Sequence, residues 1–328
     1  MTIFPPRNPN RAPAPPLTQR LRGLMDRPGA RLALRVVQVA FVLGVSLYLM
    51  HRLTEIGWGR VWQSLPTQPL YYLFFIGFFF SIPLAEMLIF RLIWQRPMAR
   101  RFPLFVRKRV YNLAVLSYSG DAFLALWAHR HLNLKGRSAI ATVKDSAILS
   151  ALASNGFTLL LLGLFFLTGQ LNTLLAADGD LSFYIGIAVA LTLVLVPLVV
   201  TFRGRIFSLG GRLVRTVFLI HLARLVAQLG LQVAMWWVVL PDVPVLTWLI
   251  FLTAQLVVTR IPFLPNTDLI FLGLGLSLGS YVDAPEATVA GMFLAAGALS
   301  QVFNVAAYVL TSVPDPTGYE PTPAKATR

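Results

Sequence analysis

Long apolar runs, each closed by charged residues, set the pattern of the chain. The runs cover residues 34–50, 70–94, 146–167, 183–202, 217–240, 245–260 and 287–313. Most approach or exceed the length that a helix needs to cross a bilayer core of roughly 30 Å. A further segment, 267–282, is apolar and rich in glycine (Gly273, Gly275, Gly279). It reads as a short span or as half of a re-entrant pair. The pattern predicts an all-α, polytopic membrane protein with about seven or eight spanning helices plus re-entrant or broken segments.

Two stretches depart from plain spans. In residues 116–162, Gly120 and Asp121 break the first apolar run, a basic patch follows (Arg130, Lys135, Arg137), and Lys144-Asp145 precede a long hydrophobic helix. The piece 113–127 is about 15 residues, or about 22 Å as a helix, too short to cross. Basic residues lie on both sides of it, so it is expected to be re-entrant or interfacial. Residues 261–309 have the same outline. Broken, charged segments at membrane depth are tolerated where protein buries them or where they line a wet cavity. Inside the spans, Pro83 is expected to kink the second helix, which also carries Glu86. Arg224, Gln228 and Gln232 fall at i, i+4 and i+8 and form one helix face that should turn away from lipid.

Composition and charge add topology. The chain of 328 residues is 56% hydrophobic and 12% charged, with a mean hydropathy of +0.69. The formal net charge of +15 does not point to nucleic acid, because the basic residues cluster beside apolar segments, as the positive-inside rule requires. The cluster Arg91, Arg96, Arg100, Arg101, Arg107, Lys108 and Arg109 is read as marking a cytoplasmic loop, and Arg203, Arg205, Arg212 and Arg215 as marking another. The loops at Asp178 and Asp242 then lie outside, and the N-terminus lies in the cytoplasm. Residues 1–31, rich in Pro and Arg, and 314–328, rich in Pro, are expected to be disordered tails on an integral domain at 32–313. There is no cysteine, which excludes thiol chemistry. His51, His129, His131 and His221 are scattered, and no metal site or cofactor is expected.

The two broken stretches align with each other. Asp121 follows Ser119-Gly120, Asp268 follows Asn266-Thr267, and each acid opens an apolar run. Further on, residues 150–157 (SALASNGF) match residues 296–303 (AGALSQVF), pairing Ser154 with Ser300, Asn155 with Gln301 and Phe157 with Phe303. An internal repeat follows, and it is inverted if 267–282 crosses. Paired interruptions in two halves of a membrane protein point to a transport site at the repeat interface.

With LSYSGDAF, HRHLNLKGR and VKD in sequence, and IPFLPNTDLIFLGLGLSLG later, the chain resembles the flippase-like transmembrane domain of lysylphosphatidylglycerol synthases and their stand-alone relatives. The likeness runs over about residues 34–313. It departs where Asp121 replaces the usual Glu, where Lys144-Asp145 only approximates a Glu-Arg pair, and where Pro265-Asn266-Thr267 replaces a PGG-type break. No soluble aminoacyl-transferase domain is expected after residue 328. The resemblance therefore implies the translocation part alone, acting on a phospholipid, glycolipid or other envelope lipid of the cytoplasmic (inner) membrane.

The residues expected to meet substrate are Arg224, Gln228, Gln232, Asp121, Lys144, Asp145, Arg260 and Asp268. Arg224 and its two glutamines would contact an anionic headgroup. Asp121 and Asp268 would cap helices at the breaks, a role compatible with lining a cavity. Lys144 and Asp145 would pair at the cavity mouth, and Arg260 would lie at the cytoplasmic interface. Glu86 would be a buried carboxyl. The function expected is translocation of a membrane lipid without catalysis. The alternative is an accessory or scaffold protein with envelope-biosynthesis partners. A membrane-embedded lipid-modifying enzyme is less favoured, because the sequence offers neither a His–acid constellation nor a metal-binding acidic motif.

Overall fold

A computed structural model of the chain describes residues 57–114, 118–169, 203–258 and 285–312, with a few isolated positions outside them. The regular elements among the described residues are all helices: α1 (Trp58–Gln63), α2 (Pro69–Trp94), α3 (Phe102–Ala114), α4 (Ser119–His131), α5 (Gly136–Leu167), the single turn α6 (Arg203–Ile206), α7 (Gly211–Val239), α8 (Val245–Val258) and α9 (Glu286–Ser312). Of these, α2, α5, α7 and α9 are long and apolar enough to cross a membrane, and α8 is apolar but shorter. A membrane-integral protein is what these helices fit. The spans read at 34–50, 183–202 and 267–282 lie wholly or mainly outside the described residues, as do Arg260 and Asp268.

Local signals explain the helix ends. Pro69 opens α2 at a position where its missing N–H costs nothing, and Gln95 closes it in the left-handed region at φ 52°. Pro83 lies inside α2, and the helix runs through it. Two boundaries differ from expectation. The long third helix begins at Gly136 rather than Ser146, so Lys144 and Asp145 sit two to three turns inside it and not at its mouth. At 32 residues α5 is about 48 Å long, well beyond the bilayer core, so its charged first turns need not lie in lipid. The segment read as one piece at 113–127 is divided: α3 ends at Ala114, and α4 starts at Ser119 after Tyr118, which takes φ 70°.

That division changes the fate of the basic cluster. Arg107, Lys108 and Arg109 belong to α3, not to a loop, and Lys108 and Arg109 are buried. Phe105, Lys108, Arg109 and Asn112 recur at i, i+3, i+4 and i+7, which places them on one helix face. With Phe105 fully buried, that face turns inward.

Helix α7 is the hub. It packs along α2 and against α5, while α3 and α4 form a hairpin-like layer on α2 and α5. Two cores result. One joins the first half of α2 (Tyr71, Phe75, Phe79) to the second half of α7, to α8 and to α9. The other joins the second half of α2 (Ile89, Phe90, Trp94) to α3, α4 and the first half of α5. Tyr71 donates its hydroxyl to the Met292 carbonyl at 2.6 Å and Trp94 donates Nε1 to Thr142 at 3.2 Å, so one polar bond ties α2 to α9 and another ties it to α5. In lipid, helices gain little hydrophobic energy by associating, so such interlocking and hydrogen bonds carry more of the specificity than they would in water.

Candidate functional site

Between the two cores lies a layer of charge. Lys108 on α3 reaches Glu86 on α2 in a direct ion pair and hydrogen bond, and stands 3.0 Å from Asp121 on α4. The lysine side chain is 5% exposed, and the two acids are 13% and 16% exposed. Burial opposes the ammonium, and the two carboxylates beside it offset that cost. Its ammonium also lies 5.8 Å from the Phe90 ring centre. A buried charge of this kind persists only when paired, and Lys108 has two partners on two different helices.

The α3–α4 turn is built around this pair. Asn112 accepts the Gly120 N–H at 2.7 Å and donates to Asp121 at 3.3 Å, while Ser119 donates its hydroxyl to the Tyr111 carbonyl at 2.6 Å. Gly120 passes so close to α3 that a Cβ there would lie 2.0 Å from the Lys108 carbonyl oxygen. Only glycine allows this approach, and the approach is what brings Asp121 to Lys108. Asp121 is thus the third residue of α4 and an ion-pair partner. The helix-capping role expected of it is not what the structure shows, since the cap position is Tyr118 and makes no side-chain cap bond.

From α7 the layer is completed by Arg224 and His221. Arg224 donates to Gln228 at 3.4 Å and to Ser150 on α5 at 3.3 Å, both long contacts, and its Nε has no partner among the described residues. It also interacts electrostatically with Glu86. His221 is buried, with Nε2 3.1 Å from the Ser146 hydroxyl. Gln232 donates to Gln255 of α8 at 2.7 Å. The stripe Arg224, Gln228, Gln232 therefore faces protein.

Lys144 and Asp145 serve a different place. Asp145 is fully buried and accepts from Ser208 N at 2.6 Å, Ser208 Oγ at 2.7 Å and Leu209 N at 3.1 Å. It holds the turn that leads into α7. Lys144, 3.2 Å from Asp145, donates to the Ile206 carbonyl beside that turn.

A groove of about 760 Å³ runs between α4 and α5. Its walls are apolar (Ala125, Leu126, Ile140, Ala151), with Asp121 and His129 on the α4 side and Lys144 on the α5 side. His129 lies at the hairpin tip, where its Nδ1 is 2.7 Å from the Leu134 carbonyl. Arg130, Lys135 and Arg137 surround that tip and are exposed. Asp121 thus belongs both to the groove and to the buried layer.

Of the residues expected at the site, Asp121 and Lys144 meet at the groove, Arg224 and Gln228 meet in the layer, and Gln232 and Asp145 make structural bonds. Sequence reading passed over Lys108 and Asn112. The helical recurrence from Phe105 to Asn112 was the signal that places them inward. Among the described residues no group of three His, Asp or Glu is arranged to hold a metal. No protein-family model, curated protein or solved structure matches the chain.

Proposed function

We propose that the protein is a lipid translocase of the cytoplasmic membrane. The groove between α4 and α5 takes an acyl chain of an anionic phospholipid, and the charged layer lets the headgroup pass. The observation that carries this reading is the junction at Asp121, where an apolar groove large enough for a hydrocarbon chain meets a buried cluster of ions. A spanning bundle with no solute to pass has little reason to hold Glu86, Lys108, Asp121 and Arg224 at its centre. Ligand sites are in general apolar clefts with a few placed polar groups. Lys144 on the groove wall complements a phosphate, as do the exposed Arg130, Lys135 and Arg137 of the α4–α5 connection, and the apolar walls complement a chain. The resemblance to flippase-like domains supports the same reading.

In this reading the bundle has about seven or eight spans, its N-terminus is cytoplasmic, and its two broken stretches form an inverted repeat. The test is headgroup accessibility in reconstituted vesicles. Labelled anionic lipid should exchange leaflets faster with protein than without it. No acceleration for any anionic lipid would remove the translocase reading.

A further inference from the structure

We propose that α1 rests in the membrane–water interface at the end of the bundle opposite Arg91 and Arg215, with Trp58 and Trp62 seated among lipid carbonyls and headgroups. The two rings stand at i and i+4, on one side of the helix, and are 46% and 75% exposed. Val61, on another side, is buried. Backbone contact holds the helix in place. A Cβ at Gly291 of α9 would lie 2.6 Å from the Ser64 carbonyl oxygen and 3.2 Å from that of Val61. The start of α9 thus pins α1 while its two indoles stay exposed.

Two further exposed aromatics stand at the same level. Tyr71 meets the Met292 carbonyl, and its neighbour Tyr72 is 38% exposed and donates its hydroxyl to the Pro66 carbonyl at 2.6 Å. Trp236 packs 5.6 Å from the Phe293 ring centre, and its neighbour Trp237 is 50% exposed. Gly291, Met292 and Phe293 are consecutive on α9, so α1, the start of α2 and the end of α7 share one level. From Tyr72 along α2 the next exposed charge is Arg91, about 28 Å away. Back along α7 from Trp237 it is Arg215, about 33 Å away. The large exposed side chains between are apolar: Leu73, Ile76, Leu84 and Leu88 on α2, Leu219 and Val226 on α7. Both lengths match a hydrocarbon core of roughly 30 Å, so the aromatic level marks one edge and the arginine level the other. Tryptophan suits such an edge, because its ring is apolar and its single N–H seeks an acceptor. By the positive-inside rule the arginine edge is cytoplasmic and α1 meets the outer leaflet. The same ruler puts Glu86 about 21 Å from Tyr72, in the cytoplasmic half of the core. This placement does not depend on lipid transport.

The experiment uses the full chain in phosphatidylcholine nanodiscs. Gly59 is exposed beside Trp58, with open space around it, and the chain has no cysteine of its own. A nitroxide on Gly59→Cys therefore reports the depth of α1. A nitroxide on Val226→Cys, at a 51% exposed position of α7, is the deep reference. Collision with oxygen and with a water-soluble nickel chelate should place residue 59 in the interfacial zone, about 5–7 Å thick, and residue 226 about 16 Å deeper. A second measurement needs no label. The tryptophan emission that Trp58→Tyr/Trp62→Tyr loses should be quenched more by lipid carrying a headgroup nitroxide than by lipid brominated at mid-chain. Residue 59 as open to the chelate as a label free in water would overturn the placement. So would shielding from both reagents, which marks a protein cover, or stronger quenching from mid-chain than from the headgroup.

Discussion

Arg109 donates Nη1 to the carbonyl of Phe79 at 2.9 Å, and its guanidinium lies 4.3 Å from the Phe79 ring centre. Phe79 is four residues before Pro83, the position whose carbonyl loses its helical partner because proline has no N–H. An arginine from α3 thus replaces the missing donor of α2. This explains how the helix passes through a buried proline, and why a cation from a basic cluster is drawn into the bundle. Arg109→Met should cost roughly 1.5–3 kcal/mol, the range for a hydrogen bond to a charged group. In a Pro83→Ala background, where the helix supplies its own donor, the same substitution should cost less. Unfolding of the four proteins in detergent would give the coupling directly, and additive losses would separate Arg109 from the proline.

The turn between α3 and α4 yields a second prediction. A methyl group at residue 120 would collide with the backbone of Lys108 and with the Asn112 side chain, so Gly120→Ala must push the two helices apart. The cost should be about 1–3 kcal/mol, as for other overpacking changes. Gly156→Ala, in the open middle of α5, should be neutral or slightly stabilising. Equal melting temperatures for both variants would mean that the close approach at Gly120 does not exist in solution.

Much of this architecture was legible in the apolar runs. The helix Pro69–Trp94 begins and ends within about one residue of the run that predicted it, and Val245–Val258 and Glu286–Ser312 begin within about one residue of theirs. Length and hydropathy suffice there, because a bilayer leaves a continuous helix as the simplest solution. The polar positions were harder to read. Positive-inside reasoning assigned Lys108 and Arg109 to a loop, since it counts charges and does not see their partners. What buries them is a carboxylate 22 residues earlier and a carbonyl that only a proline frees. Lys144 and Asp145 misled for a related reason. In the sequence they mark the boundary of an apolar helix, while their partners, Ile206, Ser208 and Leu209, lie more than sixty residues away.

That long-range pairing separates two adjacent residues by their effect. Asp145 is fully buried and holds three donors, whereas the Lys144 side chain is 47% exposed. Asp145→Ala should therefore lower stability by roughly 1.5–3 kcal/mol. Lys144→Met should lower it by about 0–1 kcal/mol, as for an exposed ion pair. Chemical denaturation at matched detergent concentration would show the difference, and similar midpoints for the two variants would contradict the burial of Asp145.

Topology can be tested cleanly, because the chain has no cysteine of its own. Single cysteines at positions 100 and 205 should label from the cytoplasmic side, and one at Asp242 from outside. External labelling at position 100 or 205 would overturn the assignment. A cysteine at position 284 reports on the repeat. Outside labelling there fits a crossing by 267–282, and cytoplasmic labelling would mean that the segment re-enters.

The last prediction concerns Arg224. Its bonds to Gln228 and Ser150 are long, at 3.4 and 3.3 Å, and its Nε finds no acceptor among the described residues. A guanidinium held so loosely retains donors for a phosphate, which it binds as a planar fork that lysine does not copy. Arg224→Lys keeps the charge and should keep the bundle assembled. It should weaken headgroup recognition by roughly 1.5–3 kcal/mol, which is about one to two decades in affinity. Arg100→Lys, an exposed change just beyond the C-terminal end of α2, should be almost silent, because it keeps the positive charge. The two variants are compared by leaflet-exchange rate in vesicles at equal protein content. If Arg224→Lys moves lipid as fast as the unmodified chain, then the contacts of Arg224 with Ser150 and Gln228 are its whole purpose, and the headgroup must meet its cation elsewhere.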